Sequence, residues 1–140
     1  MTGADVVRAA RGWIGTRWQH QASVRGVACD CVGLVRGVMA DLGVPVPGSL
    51  VYDRHPDGVT LMQMAEEWLQ PVPAAQLAPG HVVVFALNTA PSHVGIAANY
   101  FAGGLSLVHA HLPARGVVEN RLDDLWLSRV RGVFIIPGVA

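Results

Sequence analysis

The stretch Ala28-Cys29-Asp30-Cys31-Val32-Gly33-Leu34-Val35 constrains the fold more than any other part of this chain. Asp30 suits a helix N-cap, because its side-chain oxygen can accept from the first free backbone N–H groups. Residues 31–42 then show helical periodicity. Cys31, Val35, Val38 and Leu42 share one stripe, and Val32, Leu34 and Met39 widen it. Gly33 and Gly37 lie four apart on this helix; glycine costs helix stability, so the pair predicts a neighbour packed against the helix backbone. A buried helix is expected, ended by Gly43 and not continued past Pro45 and Pro47. Cys31 falls in its first turn, where the helix dipole and unpaired N–H groups favour a thiolate, the nucleophilic form. The local pattern therefore predicts an activated cysteine.

Around this helix the chain divides into a helical half and a strand-rich half. Residues 4–13 read as a short amphipathic helix with Val6, Val7, Ala10 and Trp13 near one stripe. Residues 15–28 read as an irregular polar loop, and residues 48–58 as another, with His55 exposed. Residues 59–69 form a second amphipathic helix burying Leu61, Met64, Ala65, Trp68 and Leu69. Strands are expected at 81–87, 93–99, 105–109, 116–119 and 130–136, with a helical turn near 123–127. Their short connections favour antiparallel pairing. Helices first and strands second give an α+β domain spanning 1–140, with the cysteine helix on a central antiparallel sheet of about five strands.

Composition narrows the function. With 51% hydrophobic and 14% charged residues, the chain is too apolar for disorder, and an apolar face that meets a partner is expected. The net charge is zero and no basic block exists, which argues against nucleic-acid binding. Cys29 and Cys31 are too close in sequence to bridge within regular structure. A single C-x-C pair is a weak zinc signature, so neither metal nor cofactor is expected. Residues 1–13 carry no signal-peptide pattern, and no apolar run reaches the ~18–20 residues of a membrane span.

A reactive cysteine needs a base. Among six histidines, His93 opens one strand and His109 closes the next. A hairpin centred near Phe101 would set His93 opposite His109, with Cβ atoms roughly 4.5–5.5 Å apart on one face. Gly95 and Ala97 share that face and would leave room for the cysteine helix. Cys31 is then the nucleophile, His93 the base and His109 the group that orients it, with His111 a possible substitute for His109. The oxyanion would be held by the Cys31 N–H and a donor from the Gln19-His20-Gln21 loop. Trp18 is either core or a wall beside the thiol. Asp30 reads as a cap, His81 as structural, and Cys29 as pointing away.

Three motifs, in this order, resemble those of the NlpC-type cysteine peptidases, bacterial cell-wall endopeptidases of papain-like fold. Asp30-Cys31-Val32-Gly33-Leu34-Val35 is similar to the nucleophile motif of that family. Ser92-His93-Val94-Gly95-Ile96 is similar to its base strand, and Val108-His109-Ala110 to the strand carrying its third polar residue. The resemblance implies hydrolysis of murein stem peptides, commonly between D-glutamate and diaminopimelate. It also draws Trp18, Gln19, His20, Gln21, Asp30 and Ser92 into the neighbourhood of the site. The stretch Arg17-Trp18-Gln19-His20-Gln21 looks most like phage-encoded members from tail or gene-transfer-agent clusters. That implies synthesis in the cytoplasm, phage-like tail proteins as partners, and delivery to the cell wall by a particle. Two positions depart from the pattern. Trp18 stands where the family often has Tyr, so only an indole N–H can donate there. His81 stands where the family has Asp at the opening of a strand, which removes the carboxylate that would cap the turn.

Other readings remain open at this level. A structural tail or hub-assembly protein could keep the fold without activity. Acyl transfer by the same thiol is disfavoured, because related transferases place His before Cys. A metal site from Cys29, Cys31 and histidines is the last alternative.

Overall fold

Thr2 and Asp5 form a capping box that opens α1 (Gly3–Arg11) in the computed structural model, which describes residues 1–46, 58–88 and 90–140. Val6, Val7 and Ala10 give α1 its buried side. Its last turn is tied to the sheet by Arg11, whose guanidinium grips Glu119 at 3.0 and 2.9 Å. Three short strands follow: β1 (Arg17–Trp18), β2 (Ser23–Val24) and β3 (Ala28–Cys29). After them come α2 (Cys31–Asp41), α3 (Gly58–Trp68) and β4 (Gln70–Val72). The second half supplies β5 (Val82–Phe85), β6 (His93–Asn99), β7 (Leu105–His111), β8 (Gly116–Arg121), the short α4 (Asp124–Ser128) and β9 (Val130–Ile135). The loop expected at 48–58 lies outside the described residues except for Gly58, and His55 lies outside with it.

The strands form one sheet of nine in the order β2-β3-β1-β8-β7-β6-β5-β9-β4, which corrects the expected number of about five. The five strands read from the sequence are β5 to β9. The other four carry too little pattern to read: β1, β2 and β3 have two residues each, and β4 contains Pro71, which a sheet tolerates at its edge. The polar segment read as a loop at 15–28 therefore contributes three strands. Pairing is antiparallel except between β1 and β3, which run parallel.

Strand alternation divides the core in two. Val82, Val84, Val94, Ile96, Ala98, Val108 and Ala110 face the helices and share a cluster with the buried side chains of α1, α2 and α3. Val83, Phe85, Ala97, Leu107 and Val133 form a second cluster on the opposite face, with Leu122 and partly buried Trp126. On α2, Leu34, Val38 and Met39 are fully buried, each contributing about 1.5–3 kcal/mol. The two glycines of α2 face separate neighbours. A Cβ on Gly33 would strike the Ala22 carbonyl, and one on Gly37 would strike the Trp13 indole. That indole is itself held by a 2.8 Å bond from Nε1 to Asp41. The helix does not lie over Gly95 and Ala97, as alternation had been taken to mean. It shares its cluster with Val94 and Ile96, and the face of Gly95 belongs to Leu107 and His109. Among the described residues, no helix is long and apolar enough to cross a membrane.

Candidate active site

The nucleophile position is built by Asp30. Its Oδ1 accepts from Gly33 N at 2.8 Å, capping α2, while Oδ2 accepts from Gln21 N at 2.7 Å. One buried carboxylate thus fixes both the start of the helix and the loop that precedes it. Cys31 is the first residue of α2 and is half-buried, whereas Cys29 is wholly inside the core. The backbone N–H of Val94 lies near enough to favour the Cys31 thiolate, so the start of α2 comes against the start of β6. The N–H groups of Val32 and Cys31 favour the thiolate as well. Burial and the Asp30 charge outweigh them and push the thiol up to about 12. The resting group is therefore a thiol, which corrects the expected thiolate: the carboxylate that caps the helix also repels a negative sulfur beside it.

His93 and His109 meet on the face of the sheet away from α2. His93 Nε2 lies 2.8 Å from His109 Nδ1, and His109 Nε2 lies 2.5 Å from Asn120 Oδ1. Asn120 Nδ2 donates to the Arg121 carbonyl at 3.1 Å, so the oxygen of the amide must face His109. His109 consequently carries its proton on Nε2 and accepts at Nδ1. His93 then carries its proton on Nε2, and its Nδ1 keeps a free lone pair. The chain Asn120–His109–His93 sets the tautomer a general base requires.

The hairpin register differs from the one expected. Ile96 pairs with Val108 and Asn99 with Leu105, so the hairpin is shifted by two residues. Gly103 and Gly104, both with positive φ, close the loop from Tyr100. A shift of two preserves the faces, because side chains alternate with period two. The two histidines therefore meet diagonally. The same register sets Gly95 opposite His109, and a Cβ there would crowd the His109 Cβ and the Leu107 side chain. Gly95 is the space into which His109 fits.

The imidazoles are dry. His93 is pushed well below its ordinary 6.5, first by burial and then by His109 and His111. Burial takes His109 down to about 4 against the opposing bond from Asn120. Trp126 on α4 meets His109 edge-on at 5.1 Å, and Phe85 lies 6.1 Å from His93. His111 stacks on His109 with centroids 4.8 Å apart, and one ring nitrogen from each of the three histidines lies within 4.8 Å of the others.

The remaining sequence-derived positions surround this centre in different ways. Trp18 pairs with Cys29 across β1 and β3 and lines an open groove of about 470 Å³ with Arg17, Leu112 and Arg115. The backbone N–H of Gln19 is engaged by the Cys29 carbonyl, and that of Gln21 by Asp30. His20 Nδ1 stands 3.9 Å from Asp30 Oδ2. Ser92 braces the β5–β6 connection, its Oγ accepting from Leu87 N at 3.2 Å. His81 keeps the turn-capping contact that loss of an Asp was expected to remove, because its Nδ1 accepts from Ala78 N at 3.1 Å. Asn120, Trp126 and Phe85 were missed by sequence reasoning. The signal for Asn120 was a polar residue two positions beyond Val118, which pairs with His109; the expected strand stops at residue 119, two short of the end of β8.

The family model described as the NlpC/P60 family matches residues 13–134. None of the curated proteins matches this chain. Among solved structures, the NlpC/p60 domain of peptidoglycan hydrolase SagA superposes with a TM-score of 0.69 at 20% identity, covering 97% of this chain and 100% of that one. An NlpC/P60 family protein from Bacillus cereus gives 0.69 at 16% identity, covering 95% of this chain but 39% of that one. An N-acetylmuramoyl-L-alanine amidase from Bacteroides uniformis gives 0.57 at 15% identity, covering 94% and 96%. At these identities the superpositions speak for the fold. The match over residues 13–134 establishes that the chain belongs to the NlpC/P60 family, with the papain-like fold of a cysteine-peptidase-type peptidoglycan hydrolase.

Proposed function

We propose that this protein is a cysteine endopeptidase acting on the stem peptides of peptidoglycan, with Cys31 as nucleophile and His93 as base. The observation that carries the reading is the Asn120–His109–His93 hydrogen-bonded chain, which leaves a lone pair on His93 Nδ1 one residue from Val94, whose backbone N–H favours the Cys31 thiolate. The thiol proton passes to His93 Nδ1 as Cys31 Sγ attacks the carbonyl carbon. The oxyanion forms beside the Cys31 N–H at the positive end of α2. His93 returns its proton to the leaving amine as the C–N bond breaks. Water, deprotonated by His93, then releases the acid from the thioester and restores the thiol.

The bond between D-glutamate and diaminopimelate is our proposed target. Both residues carry carboxylates, and Arg17 and Arg115 beside Trp18 supply cations in the neighbouring groove. Association with a phage-like tail, and delivery to the wall by that particle, rest on the resemblance of residues 17–21 to phage-encoded members. Digestion of purified Gram-negative sacculi, followed by mass spectrometry of the released muropeptides, tests the reading. Stem-peptide cleavage by the wild type and none by Cys31→Ala is expected. Equal release, or none from either protein, would move the protein to a structural role in a tail assembly.

A further inference from the structure

We infer that His93, His109 and His111 bind a single divalent transition-metal ion of the zinc class, and that this ion switches the hydrolytic site off. The inhibition rests on the peptidase reading above; the binding does not. One ring nitrogen from each histidine already lies within 4.8 Å of the other two, with His93 and His109 buried and His111 half-buried. Zinc holds imidazole nitrogens at about 2.0–2.1 Å, which sets tetrahedral neighbours roughly 3.3 Å apart. The 2.8 Å between His93 Nε2 and His109 Nδ1 therefore opens by about half an ångström, and His111 closes inward. Rotations of the rings supply both movements.

Three further observations favour this site. His109 donates its Nε2 proton to Asn120, which fixes Nδ1 as the free ligand atom. Metal-binding histidines are oriented in the same way, by an acceptor on the far nitrogen. The rings sit in an apolar wall of Trp126 and Phe85, and the three-imidazole donor set suits zinc, copper or nickel rather than magnesium or calcium. His111 has no part in the proton chain, so its position over His109 is otherwise unassigned.

Binding and hydrolysis exclude each other by proton count. The ion takes the place of the proton shared between His93 Nε2 and His109 Nδ1. That proton moves to His93 Nδ1, the lone pair that catalysis needs. No bond is broken other than this N–H, no electron is transferred, and the fourth position on the metal is left to water.

The test is a zinc titration against a chromophoric chelator, made on the wild type, Cys31→Ala and His111→Gln, with thermal melts alongside. One zinc per chain in both the wild type and Cys31→Ala is expected, with affinity at least about 10-fold weaker in His111→Gln. Zinc should raise the melting temperature of the first two proteins only, and magnesium that of none. The activity of His111→Gln on sacculi should resist inhibition by zinc concentrations that silence the wild type. Loss of zinc binding in Cys31→Ala with retention in His111→Gln would place the ion on the thiol and overturn the inference. So would the absence of stoichiometric binding in the wild type. Stoichiometric binding lost in His111→Gln, in a wild type that cleaves no stem peptide, would uphold the site and remove the peptidase reading instead.

Discussion

Burial of His109 makes this fold acid-sensitive by an amount that can be worked out. The pKa of His109 falls from 6.5 to about 4 on folding, because the ring is fully buried and beside His111. A depressed histidine pKa means that the unfolded chain takes up the proton first. Stability is then complete above about pH 6.5 and falls as pH drops toward the folded pKa. For His109 alone the loss is about 2 kcal/mol between pH ~7 and pH ~5, approaching about 3 kcal/mol below pH ~4. His93, also buried and lowered, adds a loss of the same sign. Glu119 is held below its ordinary 4.5 by Arg11, so its contribution fades only at lower pH. Urea unfolding at about pH 7 and about pH 5 therefore isolates the imidazoles. The wild type should lose 2 kcal/mol or more between the two, and His109→Gln should lose about 2 kcal/mol less. Losses equal within about 0.5 kcal/mol would refute the reasoning, because they would mean that His109 titrates normally in the folded chain.

Three other outcomes test the site. Asn120→Ala removes the acceptor that fixes the His109 tautomer; kcat should drop about 3- to 10-fold, the value of one hydrogen bond, with KM unchanged. Imidazole nitrogen NMR should then show protons redistributed between the His109 nitrogens, which a merely structural role for Asn120 would not produce. Gly95→Ala should cost roughly 10-fold in kcat by displacing His109 and breaking its 2.8 Å bond to His93, and a variant with wild-type kcat would show that this contact does not matter. Iodoacetamide should label Cys31 and spare the buried Cys29, at a rate that climbs about tenfold per pH unit through pH ~9. A plateau beginning near neutrality would reveal a resting thiolate and contradict a thiol pushed up to about 12.

The parts of this fold that a sequence shows are those with long periodicity or strong local chemistry. The helix from Cys31, its Asp30 cap and the buried faces of α1 and α3 follow from 3.6-residue spacing and capping rules, and the structure places them within a residue or two. The strands β5 to β9 follow from apolar runs between turns. What escaped reading depends on contacts between distant segments. A two-residue strand such as β1 exists because β3 and β8 hold it on either side, and two residues cannot show alternation. The hairpin register was set by the conformations of Gly103 and Gly104, which favour a five-residue closure that residue types alone did not distinguish from a shorter one. The meeting of His93 and His109 survived this shift only because it was an even one. The protonation state of Cys31 escaped for a different reason: helix-dipole reasoning weighs the donors at the helix start, while the decisive quantities, burial and the neighbouring Asp30, appear only in three dimensions.

A thiol held near 12 and a base held below 6.5 are nevertheless compatible with catalysis. Moving the proton from Cys31 to His93 costs at least about 7 kcal/mol when the two groups are treated separately. The product of that transfer is an ion pair, and opposite charges brought to within ~4 Å of each other recover about 4 kcal/mol at an effective dielectric of ~20. The remainder, about 3 kcal/mol, is small beside the ~16 kcal/mol barrier of an enzyme turning over about ten times per second. The proton can therefore move as the sulfur attacks, with no standing ion pair in the free protein. A neutral resting site also suits the surroundings. Phe85 and Trp126 could not solvate a permanent imidazolium, and Asp30 would repel a permanent thiolate. The same dry, neutral arrangement accounts for both the acid sensitivity of the fold and the delayed alkylation of Cys31. Those two measurements consequently test one physical cause from opposite ends of the pH scale.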